Sequence, residues 1–204
     1  MGDHNMSDTH SEKLRDLLDM EKYERRGAYH WTKYNNEPGS RAFTDKILDR
    51  FKEIQTDYEQ DILDIGCGDG LWTHLLRESG YKVTGIDANK LAIELAMKKG
   101  LDNMHHSFFT DYKGEHDVCI LFDVFEHFEE PKQAVKKLAE IARHKVYILN
   151  PLWVVKYHHD FYDNPKITAI FSDYWELTHE ETLTGYSNTI NTSFEKSFLQ
   201  FTKK

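Results

Sequence analysis

Apolar positions along this chain follow two alternating periods. Leu14, Leu17 and Leu18 share one face of a short helix running to about Arg25, which Gly27 ends. An aromatic stretch follows, with Tyr29-His30-Trp31 and Tyr34, and Pro38-Gly39 signals a turn. A second helix begins near Ser40 and turns Phe43, Ile47, Leu48, Phe51 and Ile54 to one side. From Asp61 short apolar runs alternate with amphipathic segments. Strands are expected over residues 62–65, 82–86, 104–108, 118–122 and 145–149, with helices between most of them. Periodicity then weakens, and the pattern predicts a short helix over 178–186 and a hairpin over 189–201 turning near Glu195-Lys196. Strand–helix alternation implies the α/β class. The expected architecture is a doubly wound, mostly parallel sheet of seven strands, with one antiparallel strand at its edge and helices on both faces.

Composition adds limits. A chain of 204 residues suits one α/β domain, and 39% hydrophobic residues argue against disorder beyond residues 1–10. No apolar run approaches the roughly 20 residues of a membrane span. The polar start Met1-Gly-Asp-His-Asn-Met6 has no secretory character. Cys67 and Cys119 fall on a glycine loop and a buried strand, as reduced thiols of a cytoplasmic protein would. The net charge of −9, without a dense Lys/Arg cluster, disfavours nucleic acid as a partner.

The richest segment is Asp61-Ile-Leu-Asp-Ile-Gly-Cys-Gly-Asp-Gly70, followed by Gly85-Ile-Asp87. It predicts a strand, a glycine turn, a helix, and a second strand closed by an acid, a layout that binds a nucleoside-containing cofactor. Dinucleotide binding requires G-x-G-x-x-G, and Leu71 stands where the third glycine belongs. Asp64, just before the loop, would place a negative charge near the ligand, which favours a cation with a ribose over a phosphate. Gly66 and Gly68 let the backbone approach that ligand, and Asp87 would accept its ribose hydroxyls.

This pattern resembles motifs I and II of the class I S-adenosylmethionine (SAM)-dependent methyltransferases. The resemblance implies a Rossmann-like core over 59–204 and a helical segment over 11–58 that covers the cofactor site. It implies that Asp64, Gly66, Cys67, Gly68, Asp87 and Ala88 bind SAM, with Asp111 facing the adenine and Phe122 and Asp123 at the cofactor boundary. Trp31 offers an aromatic face to a sulfonium, and Arg41 would pair with the methionine carboxylate.

Leu121-Phe-Asp-Val-Phe-Glu-His-Phe128, then Glu129-Glu-Pro131, resembles motif IV of small-molecule methyltransferases. Glu126 and His127 become the catalytic candidates, with His127 as general base where the acceptor needs one. The alternative is that this pair merely caps a helix. Asp123, Glu126 and His127 also resemble a divalent-metal motif of some ubiquinone-biosynthesis and small-RNA methyltransferases, with His158 or His159 as a further ligand. The expectation is that no metal is bound. Aromatic residues over 152–174 would suit an apolar or aromatic acceptor or serve as ordinary core.

The resemblance implies methyl transfer from SAM to an O, N or C nucleophile of a small molecule, releasing S-adenosylhomocysteine (SAH), by a monomer or homodimer without membrane attachment. Rival readings are an RNA or protein methyltransferase, a non-catalytic SAM-binding regulator and, last, a nucleotide-dependent oxidoreductase.

Overall fold

The computed structural model describes residues 21–153, 160–187 and 192–204. The N-terminal segment contributes helices α1 (Lys22–Arg26), α2 (Tyr29–Asn36) and α3 (Pro38–Ile54). There follow β1 (Asp61–Ile65), α4 (Leu71–Glu78), β2 (Lys82–Asp87), α5 (Lys90–Lys98) and β3 (Met104–His106). The chain continues through β4 (His116–Phe122), α6 (Pro131–Ile141), β5 (Ala142–Pro151), α7 (Asn164–Phe171), β6 (Trp175–Ser187) and β7 (Thr192–Lys203). Two single turns of 3₁₀ helix, Phe109–Asp111 and Phe125–His127, lie either side of β4.

The strands form one seven-stranded sheet in the order β3-β2-β1-β4-β5-β7-β6. The first five are mutually parallel, while β7 runs antiparallel to both β5 and β6. The antiparallel strand therefore sits within the edge pair, one place in from β6. Strand order reverses direction between β1 and β4, so the carboxyl ends of these two strands open the crevice where α/β sheets bind ligands.

The central strands are buried on both faces, and successive side chains divide between two cores. Leu63, Ile65, Cys119, Leu121, Val146 and Ile148 pack on one face beneath α6 and α7, against Leu138 and Phe171. Ile62, Val118, Ile120, Phe122, Tyr147 and Leu149 pack on the other beneath α3 and α4, against Ile47, Phe51 and Leu76. A fully buried Leu, Ile or Phe contributes roughly 1.5–3 kcal/mol. An exposed ion pair such as Lys82–Glu59 is screened by solvent and adds little. The two apolar faces therefore hold the fold.

Three elements differ from expectation. Residues 178–186 were expected to be helical and lie instead within β6. Of the hairpin expected over 189–201, the described residues 192–201 lie in a single strand, β7, and Glu195 and Lys196 sit in mid-strand opposite Thr184 and Leu183. The segment is rich in Glu and Thr with few apolar markers, so its register comes from pairing with β7, a tertiary effect that outweighs local preference. β3 ends at His106, and Phe108, expected within it, is 56% exposed. The aromatic stretch from Tyr29 is helical. Leu14, Leu17, Leu18 and the disorder expected for residues 1–10 lie outside the described residues.

Candidate functional site

The glycine loop leaves β1 in a conformation few side chains tolerate. Gly66 has φ +68°, and a Cβ there would stand 2.7 Å from Val124 Cγ2. Gly68 has φ +56°, and a Cβ there would come within 2.2 Å of the Tyr23 hydroxyl. At both positions the positive φ and the close packing of Val124 and Tyr23 leave room for glycine alone. The Tyr23 phenol descends from α1 onto this loop. Burial pushes its pKa well above the ordinary value, with nearby Tyr29, Asp87 and Asp69 adding to the rise.

The acids around the loop serve different ends. Asp87, closing β2, accepts the Gly68 N–H at 2.8 Å on one oxygen and the Asn89 N–H at 2.7 Å on the other. Asp64 is 2% exposed, accepts the Thr73 hydroxyl at 2.7 Å and lies beneath the loop, outside the lining of the cavities described below. Burial pushes its carboxyl up to about 7, with the Asp87 charge adding to the rise and the Thr73 hydrogen bonds opposing it. Asp69, fully buried, ties the N-terminal segment down. Its carboxylate accepts the His30 N–H at 2.9 Å and meets His30 Nδ1 at 3.0 Å, and its carbonyl accepts Trp31 Nε1–H at 2.7 Å.

Two cavities open over the carboxyl ends of the strands and share Lys22, Gly66, Asp87, Asp123 and His127. The smaller, about 300 Å³, includes Ala88, Phe108 and Thr110 in its walls. The larger, about 530 Å³, lies under α1 and α2 and includes Cys67, Trp72, Phe122, Glu126 and Trp153. Asp123 follows β4 with φ +58°, the one non-glycine residue with positive φ among the described residues, and its carboxylate pairs with the Lys196 ammonium from β7. Glu126 is 2% exposed, and burial, then the Asp123 charge, push its carboxyl up to about 8.

Gly66, Cys67, Asp87, Ala88, Phe122, Asp123, Glu126 and His127 thus gather on one cleft, with Gly68 under Tyr23 at its floor. Four expected residues stand apart. Asp64 faces Thr73, and Asp111 is exposed on its 3₁₀ turn while its neighbour Thr110 lines the smaller cavity. Trp31 packs by His74, with ring centroids 4.7 Å apart, and Arg41 lies outside both cavities beside Asp45 at 3.8 Å. Lys22, Arg25 and Arg26 line the larger cavity instead.

The three-residue metal set does not assemble. Among the described residues no group of three His, Cys, Asp or Glu could hold a metal ion, because Asp123 turns to Lys196 and Glu126 is buried. His158 and His159 lie outside the described residues. Sequence reasoning missed Tyr23, Asp69, Phe108 and Lys196. Asp69 stood within the glycine motif, but nothing local announces that its partner is His30. Lys196 was hidden by the hairpin expected around it.

Comparison with known proteins agrees with this geometry. The family model described as a methyltransferase domain matches residues 32–170, more than half of the chain. A ubiquinone biosynthesis O-methyltransferase of Nitrosospira multiformis is 27% identical over 145 residues, covering 63% of this chain and 57% of that protein. The mitochondrial ubiquinone biosynthesis O-methyltransferase of Schizosaccharomyces pombe is 31% identical over 106 residues, 47% of this chain and 39% of that one. The chain thus spans little more than half the length of the first of these relatives and less of the second. Among solved structures, magnesium protoporphyrin IX methyltransferase from Synechocystis PCC 6803 with bound SAM superposes with a TM-score of 0.72 at 16% identity, covering 100% of both chains. The N-methyltransferase NodS from Bradyrhizobium japonicum, in complex with SAH, gives 0.69 at 14% identity, covering 90% of this chain and 97% of that one. These likenesses share the fold, and the family match carries the assignment: the chain belongs to the methyltransferase domain family.

Proposed function

We propose that this protein binds SAM in the cleft and directs its methyl group to an O, N or C nucleophile of a small-molecule acceptor. The observation that carries this reading is Asp87. Its carboxylate is fixed by two backbone N–H donors at the end of β2, where the two cavities join, which is where a ribose diol would be met. Gly66, at positive φ beside Asp87, lines both cavities and brings the backbone of the loop to their walls. The two cavity volumes fall within the range of small-molecule sites.

The smaller cavity, walled by Ala88 and Phe108, would hold the nucleoside, and Asp87 its ribose. SAM supplies a methyl group already activated on a sulfonium. The residues of this chain therefore have to align the acceptor and exclude water. Tyr23, Tyr29 and His30 roof the larger cavity and serve the second task. His127, which lines both cavities, is assigned as the general base for an acceptor that arrives protonated, beside Glu126, whose carboxyl burial and the Asp123 charge push up to about 8.

Among the described residues no helix is long and apolar enough to cross a membrane. Two buried free thiols, Cys67 and Cys119, favour a cytoplasmic setting, as a monomer or homodimer. Asp87→Ala should weaken SAH binding by about 1–3 kcal/mol, the cost of lost hydrogen bonds to buried hydroxyls. His127→Ala should keep SAH binding and lower turnover by about 10²-fold or more. Unchanged SAH affinity in the Asp87 variant would remove the ribose assignment, and unchanged turnover in the His127 variant would remove the base.

A further inference from the structure

The larger cavity runs against the charge of the chain. The protein carries −9 overall, yet Lys22, Arg25, Arg26, Lys33 and Lys196 line this one space. Its acids are largely accounted for. Asp69 holds His30, Asp87 accepts backbone N–H groups, Asp123 pairs with Lys196, and burial pushes the Glu126 carboxyl up and disfavours its charged form. Arg25, Arg26 and Lys33 are exposed on the N-terminal helices at the mouth.

Lys196 is placed differently. It reaches in from β7, its side chain is only 13% exposed, and its Nζ stands 5.9 Å from the ring centroids of both Phe43 and Trp153. An ammonium has three donors, and the pairing with Asp123 leaves others to face the cavity. Lys22 acts on the same Glu126 carboxyl from α1, so two cations flank this point. Lys196 lines the larger cavity and not the smaller, which puts it on the acceptor side of Asp123.

We propose that Lys196 anchors the methyl acceptor through an anionic group, so that the acceptor is a small molecule bearing negative charge at neutral pH on a flat, largely apolar body. This inference rests on the methyl-transfer reading above. An anion approaching an acidic chain is repelled unless local charge steers it, and the basic mouth supplies that steering. Trp72, Phe122 and Trp153 then offer flat apolar walls next to the inner cation. An RNA backbone would meet the exposed mouth cations, whereas Lys196 lies too deep for a chain of phosphates. The favoured occupant is therefore a single small anion.

The test uses the wild-type protein, Lys196→Met and Lys196→Arg, each saturated with SAH so that any cofactor carboxylate is already in place. Benzoate and 2-naphthoate are titrated against their uncharged amides, with a short single-stranded RNA as a separate arm. The carboxylates should bind wild type about tenfold more tightly than the amides or better, lose that preference in Lys196→Met and regain it in Lys196→Arg. Equal binding of carboxylates and amides by wild type overturns the inference even if a variant fails to fold. A preference that survives in Lys196→Met overturns it too, as does RNA displacing the carboxylates. Loss of SAH binding in a folded Lys196→Met protein would assign the lysine to the cofactor instead. Failure of wild type to bind SAH is a different result, which removes the methyl-transfer reading and this inference with it.

Discussion

Asp64 and Asp87 both belong to the glycine motif region, and folding gives them different work. Asp87 stays at the cleft, held by backbone N–H donors, while Asp64 is drawn beneath the loop to Thr73. Sequence spacing located both acids but could not show which way each side chain turns, because that depends on the packing of α4 against β1. Burial raises the Asp64 carboxyl from the ordinary carboxylate range to about 7, so the folded state keeps a proton that the unfolded chain has released. The site's contribution to stability is therefore full below the unfolded pKa and is lost as pH rises through about 7. Asp64→Asn should stabilise the apo protein by about 1–3 kcal/mol at pH 8 and by little at pH 4. Urea unfolding at the two pH values measures this, and an equal effect at both would show that Asp64 is not buried as described.

At the scale of elements, the strand–helix alternation from Asp61 to Pro151 was legible because each strand carries an apolar run and each helix an apolar face. The C-terminal pair β6–β7 was not, since Glu and Thr dominate β6 and its pairing is set by a distant partner. That error hid Lys196. The N-terminal helices posed the opposite problem. Their aromatic residues were visible, but their docking depends on Asp69, whose carboxylate and carbonyl together hold α2 to the glycine loop. Asp69→Ala should leave the His30 N–H without its acceptor, destabilise the protein by about 1–3 kcal/mol and free the segment 21–36 from the core. Faster proteolytic cleavage within that segment is the expected readout. Cleavage at the wild-type rate would mean that apolar packing, not Asp69, holds the cover in place.

The whole molecule shows how far a charge total misleads. A balance of −9 without a dense Lys/Arg cluster in sequence disfavoured nucleic acid, and folding still collects cations from α1, α2 and β7 around one cavity while much of the acid lies elsewhere. The fold class and the glycine-loop side of the cleft could be read from the motifs, whose residues lie close together in sequence. The walls of the larger cavity could not, because they are built from segments as far apart as Lys22 and Lys196. A cleft built for an adenosyl sulfonium should refuse a dinucleotide. In calorimetric titrations of the wild-type chain, SAM and SAH should bind with dissociation constants on the order of micromolar and NADH not at all. Binding of NADH with silence from both adenosyl ligands would mean that the cleft serves a different cofactor.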